Sequence, residues 1–329
     1  MVGIVVPTYN SSAFLRQCIR SIQEQTFKQW RLVVTDDSST DESVSVAHEF
    51  AQDDPRIRIY VSEKNAGAHA NFNRGIALLP DCNYICVLPA DDWWELEFLE
   101  QAVSALVQNP EIAFVHSDAR RVFEGGEDQK TYVGLCDHRP TPGAHKAMAE
   151  LFENDYVPPM GTMLNMPVIS AIRGQAPLFD PSLKYTADYF LWLSLMVLGA
   201  SAYYIPRTLA TFRKHDGQHT HVKNLLERRR EEVLIFGEML ATYENGSEEI
   251  EKLRRGALEK RLTYLAFDEL EQGSPHEALK HLAALLELSD RRRIDGMVAY
   301  VICRSPFSSK LKATTWKMCR RAYNSRLFK

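Results

Sequence analysis

Through the first 120 residues, short apolar runs alternate with segments whose apolar positions recur at three- and four-residue spacing. Residues 3–6 form a brief apolar run closed by Pro7, and 13–25 set Phe14, Leu15, Cys18, Ile19 and Ile22 along one helical face. Residues 30–35, 57–61, 84–88 and 113–116 read as further strands, with helices expected over 41–52, 68–79 and 95–108. Ser39 or Thr40 is the expected N-cap of the second helix. Strands alternating with helices of this length predict an α/β fold with a doubly wound, mostly parallel sheet. Such sheets bind ligands outside the carboxyl ends of their strands. The polar clusters Thr8-Tyr9-Asn10, Asp36-Asp37 and Asp91-Asp92 all fall at those ends, so one rim of the sheet is the expected site.

The pattern changes further along. Residues 124–142 carry Gly, Asp and Pro and read as a loop, and 143–220 add helices around an irregular stretch at 157–161. The uncharged run 189–205 sits at the lower limit for a membrane span. Gly199 and the following Pro206 make a buried helix, a turn and a short strand the better reading. Beyond His221 the chain reads as helical almost throughout. Residues 264–288 have the form of a helical hairpin turning at Gly273, and a single copy does not make a tetratricopeptide array.

A length of 329 residues suggests two units at a prior of ~150 residues per domain. Apolar residues at 45% and charged residues at 25% are ordinary for a soluble globular protein. The net charge of −4 hides an asymmetry: residues 291–329 hold eleven Lys and Arg against one acid, Asp295. With Trp316, Tyr323 and Phe328 interleaved, that tail suits an amphipathic segment on an anionic membrane surface. A solvated basic face or a partner contact explains the same charges, and nothing beyond charge points to nucleic acid. Six cysteines without metal-ligand spacing read as free thiols of a reducing compartment. Met1 leads into an apolar strand with no basic segment before it, so a cytoplasmic protein is expected.

Candidate chemistry starts with Asp91-Asp92. Paired carboxylates after a central strand suit Mg2+ or Mn2+ shared with phosphate oxygens. An acid there also offsets a helix dipole, and Asp92 alone fits either role. Asp188, opening an apolar helix, fits an N-cap as well as a base. The loop Asn65-Ala66-Gly67-Ala68-His69 offers backbone N–H groups to a phosphate or merely a tight turn. Trp93 and Trp94 suit a wall for a sugar ring or the core, and His219 and His221 read as surface loop histidines.

Taken in order, the motifs resemble the family 2 glycosyltransferases, which have the GT-A fold. The matching segments are Pro7-Thr8-Tyr9-Asn10, Ser21-Ile22 with Gln25-Thr26-Phe27, and Asp36-Asp37-Ser38-Ser39-Thr40-Asp41. Asn65-Ala66-Gly67, Asn73-Arg74-Gly75-Ile76, Ala90-Asp91-Asp92-Trp93 and Thr186-Ala187-Asp188-Tyr189 follow. The resemblance covers about residues 1–220. It implies a GT-A domain there, with a nucleotide-sugar half at about 1–120 and an acceptor half at about 121–220. Residues 221–329 would form a helical C-terminal region ending in the basic tail.

It further implies an inverting, Mn2+- or Mg2+-dependent transfer of a sugar from a UDP-sugar or related donor to a glycan or lipid-linked acceptor. Pro7, Thr8, Tyr9, Asn10, Asp37 and Asp91 would bind the nucleotide. Asp92 and His215, the latter in an Arg213-Lys214-His215 element, would hold the metal, and Asp188 would be the catalytic base. Two positions depart from the family pattern: Pro89 stands where an acid is common, and Phe72 where an Arg usually precedes the Asn. A catalytically silent nucleotide-sugar-binding scaffold of the same fold is the alternative reading.

Overall fold

The computed structural model describes residues 1–123, 130–132, 143–145, 148–174, 176–215, 222–243 and 247–288. The basic tail, His219, His221, Cys136, Cys303 and Cys319 lie outside the described residues. Two compact units divide the chain, Met1–Gln218 and His219–Lys329.

The first unit opens with the expected alternation. Strand β1 (Val2–Thr8) is followed by α1 (Ser12–Gln23), β2 (Trp30–Asp36), α2 (Ser43–Asp53), β3 (Ile57–Val61), α3 (Ala68–Ala77) and β4 (Tyr84–Val87). Then come β5 (Trp93–Trp94), α4 (Phe98–Gln108), β6 (Phe114–Phe123), β7 (Lys130–Tyr132), β8 (Gly143–His145) and α5 (Met148–Glu153). The unit closes with β9 (Thr162–Asn165), α6 (Met166–Arg173), α7 (Ala187–Val197) and β10 (Ala202–Lys214). The strand order is β3-β2-β1-β4-β9-β6-β10-β5, with β7 paired to β6 and β8 to β10. The half from β3 to β4 is parallel throughout, and β6 runs parallel to β10. Strand β9 lies between β4 and β6, antiparallel to both, so the sheet is mixed beyond β4.

Burial accounts for the elements. Leu15, Cys18, Ile19 and Ile22 of α1 are buried, as helical spacing requires, and every residue of β1 is buried. A strand covered on both faces reads as a continuous apolar run. Gly75 lets α3 lie against β1: a Cβ there would stand 2.3 Å from Val5 Cγ1.

Three sequence expectations change. Residues 124–142 are not all loop, because Lys130–Tyr132 pairs antiparallel with β6. Helix α4 begins at Phe98 rather than at residue 95, since Trp93 and Trp94 pair with β10 and Glu95 N donates to Leu209 O. Helix α2 begins at Ser43, because Asp41 Oδ1 accepts from Ser43 N and neither Ser39 nor Thr40 is its N-cap. The run 189–205 takes the expected form, with α7, a turn at Gly199 (φ 87°) and the start of β10.

The second unit is helical where it is described, with α8 (Leu225–Leu234), α9 (Glu248–Glu271) and α10 (Pro275–Leu288). Gly273 turns the α9–α10 hairpin at φ 79°. Fully buried Glu269 accepts from Arg230 Nη2 at 3.2 Å and meets His281 Nδ1 at 2.8 Å. Among the described residues, no helix is long and apolar enough to cross a membrane.

Candidate active site

The loops after β1 and β2 are laced together. Asn10, in the left-handed region at φ 48°, donates its N–H to Ser39 Oγ at 2.9 Å. Its Oδ1 accepts from Thr40 N at 2.8 Å. Ser11 N donates to Ser43 Oγ, and Ser12 N to Asp41 Oδ2. Against the upward push of burial, hydrogen bonds from Ser43 and Ser12 hold Asp41 down at about 2. The Asn10 side chain thus braces the two loops. Tyr9, by contrast, is 51% exposed.

Asp37 is buried at the end of β2, and its N–H donates to Thr8 O at 2.9 Å. Its carboxylate accepts from Ala66 N at 3.1 Å and Gly67 N at 2.8 Å, and Arg74 Nη1 lies 3.6 Å away. The N–H groups of the glycine-bearing loop are therefore turned to Asp37. Gly67 serves the turn with φ 89°, a conformation that L side chains rarely adopt. The Arg74 guanidinium lies 5.5 Å from the Tyr60 ring centre.

A second cluster gathers behind β4. Asp92 is 1% exposed, and its Oδ1 accepts from Arg213 N at 2.9 Å. Its Oδ2 is buried with no hydrogen-bond partner among the described residues. Burial, and then the charge of Asp91, push the Asp92 carboxyl well above the usual carboxylate range. Asp91 Oδ2 lies 3.0 Å from His215 Nε2. A carboxylate accepts, so that nitrogen carries the proton in this contact.

Arg213 ties the cluster to its surroundings. Its Nε donates to Asp91 O at 3.1 Å and its Nη2 to Gln17 Oε1. The guanidinium lies 4.9 Å from the Phe14 ring centre and 4.7 Å from that of Trp93, and Phe14 also packs on His215 at 4.8 Å. Cys18 Sγ donates to Pro89 O at 3.7 Å, and burial, then Asp92 and Asp91, raise its thiol far up, so it stays protonated. Trp94 belongs to the core, 3% exposed, with Nε1 donating to Met160 O at 2.6 Å.

The expected residues therefore fall into groups. Pro7 and Thr8 end strand β1, and Tyr9, Asn10 and Asp37 lie in the laced loops after β1 and β2, while Asp91, Asp92 and His215 form the cluster beside Arg213. Asp188 is half-buried in the first turn of α7, where its Oδ1 accepts from Tyr189 N at 2.8 Å. Phe14 and Gln17 had no signal beyond helical spacing, and Arg213 was visible only as part of its tripeptide.

Residues 3–166 match the family model of glycosyl transferase family 2, and through this segment the chain belongs to that family. It is an enzyme of the glycosyltransferase class with a GT-A fold. The chain is 36% identical over 107 residues to glycosyltransferase GlyA of Streptococcus pneumoniae, a match over 32% of this chain and 15% of that one. The chain thus spans a small part of GlyA's length. The solved structure of S. aureus TarS 1–349 in complex with UDP-GlcNAc superposes with a TM-score of 0.71 at 14% identity, covering 98% of this chain and 91% of that chain. The mannosyltransferase PcManGT from Pyrobaculum calidifontis, in complex with GDP-Man and Mn2+, gives a TM-score of 0.55 at 18% identity, covering 95% and 86%. At such identities the two structures speak for the fold.

Proposed function

We propose that this glycosyltransferase is an inverting, divalent-metal-dependent enzyme that moves a sugar from a UDP-sugar to a hydroxyl of a glycan or lipid-linked acceptor, in polysaccharide or glycoconjugate assembly. The observation that carries the reading is the buried Asp92 carboxylate, with one oxygen unpartnered, next to Asp91 and His215. Leaving a buried carboxylate oxygen unpaired costs stability, which a site that binds a cation offsets on loading. Carboxylates with an imidazole suit Mn2+ or Mg2+. Among the described residues no group of three His, Cys, Asp or Glu side chains is placed to hold a metal ion. In this reading, diphosphate oxygens and water complete the shell around Asp92 and His215. The ion would neutralise charge gathering on the departing diphosphate.

The other roles follow the layout. Exposed Tyr9 stacks on the base, Pro7, Thr8 and Asn10 line its pocket, and Asp37 sets the loop that closes over it. Asp91 stands beside the ribose and diphosphate. Asp188 takes the acceptor proton while that oxygen attacks the anomeric carbon. The bond to the diphosphate breaks on the opposite face, and the anomeric configuration inverts. UDP as the donor nucleotide draws support from the UDP-GlcNAc in the TarS complex, and the metal from the Mn2+ of the PcManGT complex. The basic segment 291–329 would rest on anionic lipid at the cytoplasmic face. Deletion of that segment should then reduce co-sedimentation with anionic vesicles, and unchanged co-sedimentation counts against membrane attachment.

Calorimetric titration of UDP, dTDP, GDP and CMP, with and without Mn2+, tests the donor site. Metal-dependent binding of one nucleoside diphosphate, lost in Asp92→Ala, supports it. A folded protein that binds none of the four overturns it in favour of a silent scaffold.

A further inference from the structure

Besides packing on β1 and β2, helix α3 reaches both the loops after β2 and β3 and the chain leading to Asp188. At the first, Arg74 faces Asp37, which holds the Ala66 and Gly67 N–H groups just ahead of the helix. At the second, His69 and Asn73, one turn apart, bond to backbone groups more than 100 residues away. Asn73 Nδ2 donates to Phe179 O at 2.6 Å, and Asn73 Oδ1 accepts from Phe179 N at 3.0 Å. Both backbone polar groups of Phe179 are thereby bonded by a single side chain. His69 Nδ1 lies 2.7 Å from Leu183 O. A carbonyl only accepts, so Nδ1 carries the proton. The rings of His69, Phe72 and Phe179 pack together, with centroids 5.3 Å apart for His69–Phe72, 5.3 Å for Phe72–Phe179 and 6.1 Å for His69–Phe179.

The grip falls on a segment without regular structure of its own. Phe179 is 2% exposed and Leu183 fully buried, yet residues 176–186 form neither helix nor strand. Five residues after Leu183, Asp188 sits in the first turn of α7. Phe179 and Leu183 are thus held from α3 a few residues before α7 starts.

We propose that His69 and Asn73 are positioning residues that set Asp188 for proton abstraction, coupling its placement to the helix that also carries Arg74. The proposal rests on Asp188 being the base. Phe72, which departs from the family pattern, belongs to this grip through its contacts with Phe179 rather than to a phosphate contact.

The test uses the full chain and the release of nucleoside diphosphate from whichever of UDP-GlcNAc, UDP-glucose, UDP-galactose and GDP-mannose the wild type consumes fastest. Misplacing a reacting group by about 1 Å costs up to ~100-fold in rate. His69→Ala and Asn73→Ala should lower kcat by about tenfold or more and leave donor KM within about threefold. Asn places its amide nitrogen where His has Nδ1, and Gln places its own where His has Nε2. His69→Asn should therefore keep wild-type kcat, and His69→Gln should fall with His69→Ala. Equal behaviour of all three His69 variants, unchanged kcat, or a loss confined to donor KM overturns the proposal. Asp188→Asn separates the two readings. If it is inactive while the clamp variants turn over normally, the clamp alone fails. If Asp188→Asn turns over like the wild type, the base assignment fails and the proposal falls with it.

Discussion

Arg213 donates its backbone N–H to Asp92 Oδ1 at 2.9 Å, so strand β10 fixes one oxygen of a carboxylate that the sequence places 121 residues earlier. The other oxygen is buried and has no hydrogen-bond partner among the described residues. The side chain of the same arginine holds Asp91 O and Gln17, which joins α1, the acidic loop and the last strand at one point.

That arrangement makes stability depend on pH in a definite direction. Burial raises Asp92 above its unfolded value of about 3.9. The folded protein therefore prefers the neutral carboxyl, and stability falls as pH rises from the unfolded value through the folded one. Asp92→Asn keeps an acceptor for Arg213 N and removes the charge. It should melt at least about 2 °C above the wild type at pH 7.5, roughly the effect of 1 kcal/mol in a domain of this size. Below pH 4 the difference should shrink. Thermal melts of both proteins at the two pH values check the sign.

Gly75→Ala should destabilise the first unit. The added Cβ would approach Val5 Cγ1 to 2.3 Å and Thr35 Cγ2 to 3.1 Å, between a helix and a strand with no slack. Overpacking of this kind costs about 1–3 kcal/mol. Urea denaturation should show a lower midpoint with an unchanged slope. Gly67→Ala, which has open space but φ 89°, should cost less.

Asp37→Ala removes the carboxylate that Ala66 N and Gly67 N donate to and that Arg74 faces, leaving Gly67 N with Asn65 Oδ1 and Arg74 Nη1 with Asn71 Oδ1. Removing one partner from a buried, charge-assisted set costs about 1–3 kcal/mol. The loop of residues 65–67 should also become more open to hydrogen exchange. Protection of those amides at the wild-type level would contradict the role assigned to Asp37 as the anchor of that loop.

The parallel half of the sheet was legible because β1 to β4 are apolar runs separated by helices with clear three- and four-residue spacing. The rim followed from where the polar clusters fall relative to those runs. Strands β5, β7 and β9 were not legible: two to four residues hold no period, and β5 and β9 owe their pairing to β10 and β4 far away in sequence. The acids were legible as types at strand ends. Their settings were not, because the burial of Asp92 and the grip of Arg213 depend on side chains from four separate elements. Asn10 shows the converse, since its motif was plain but its side chain braces Ser39 and Thr40.

The most direct test is nucleoside diphosphate release from a panel of UDP-, dTDP- and GDP-sugars by the wild type and Asp92→Asn, each with Mn2+ and with EDTA. Turnover of one donor in Mn2+, abolished by EDTA and by Asp92→Asn in a folded protein, is the predicted result. Release that persists in EDTA and in Asp92→Asn would contradict metal-dependent transfer at this rim.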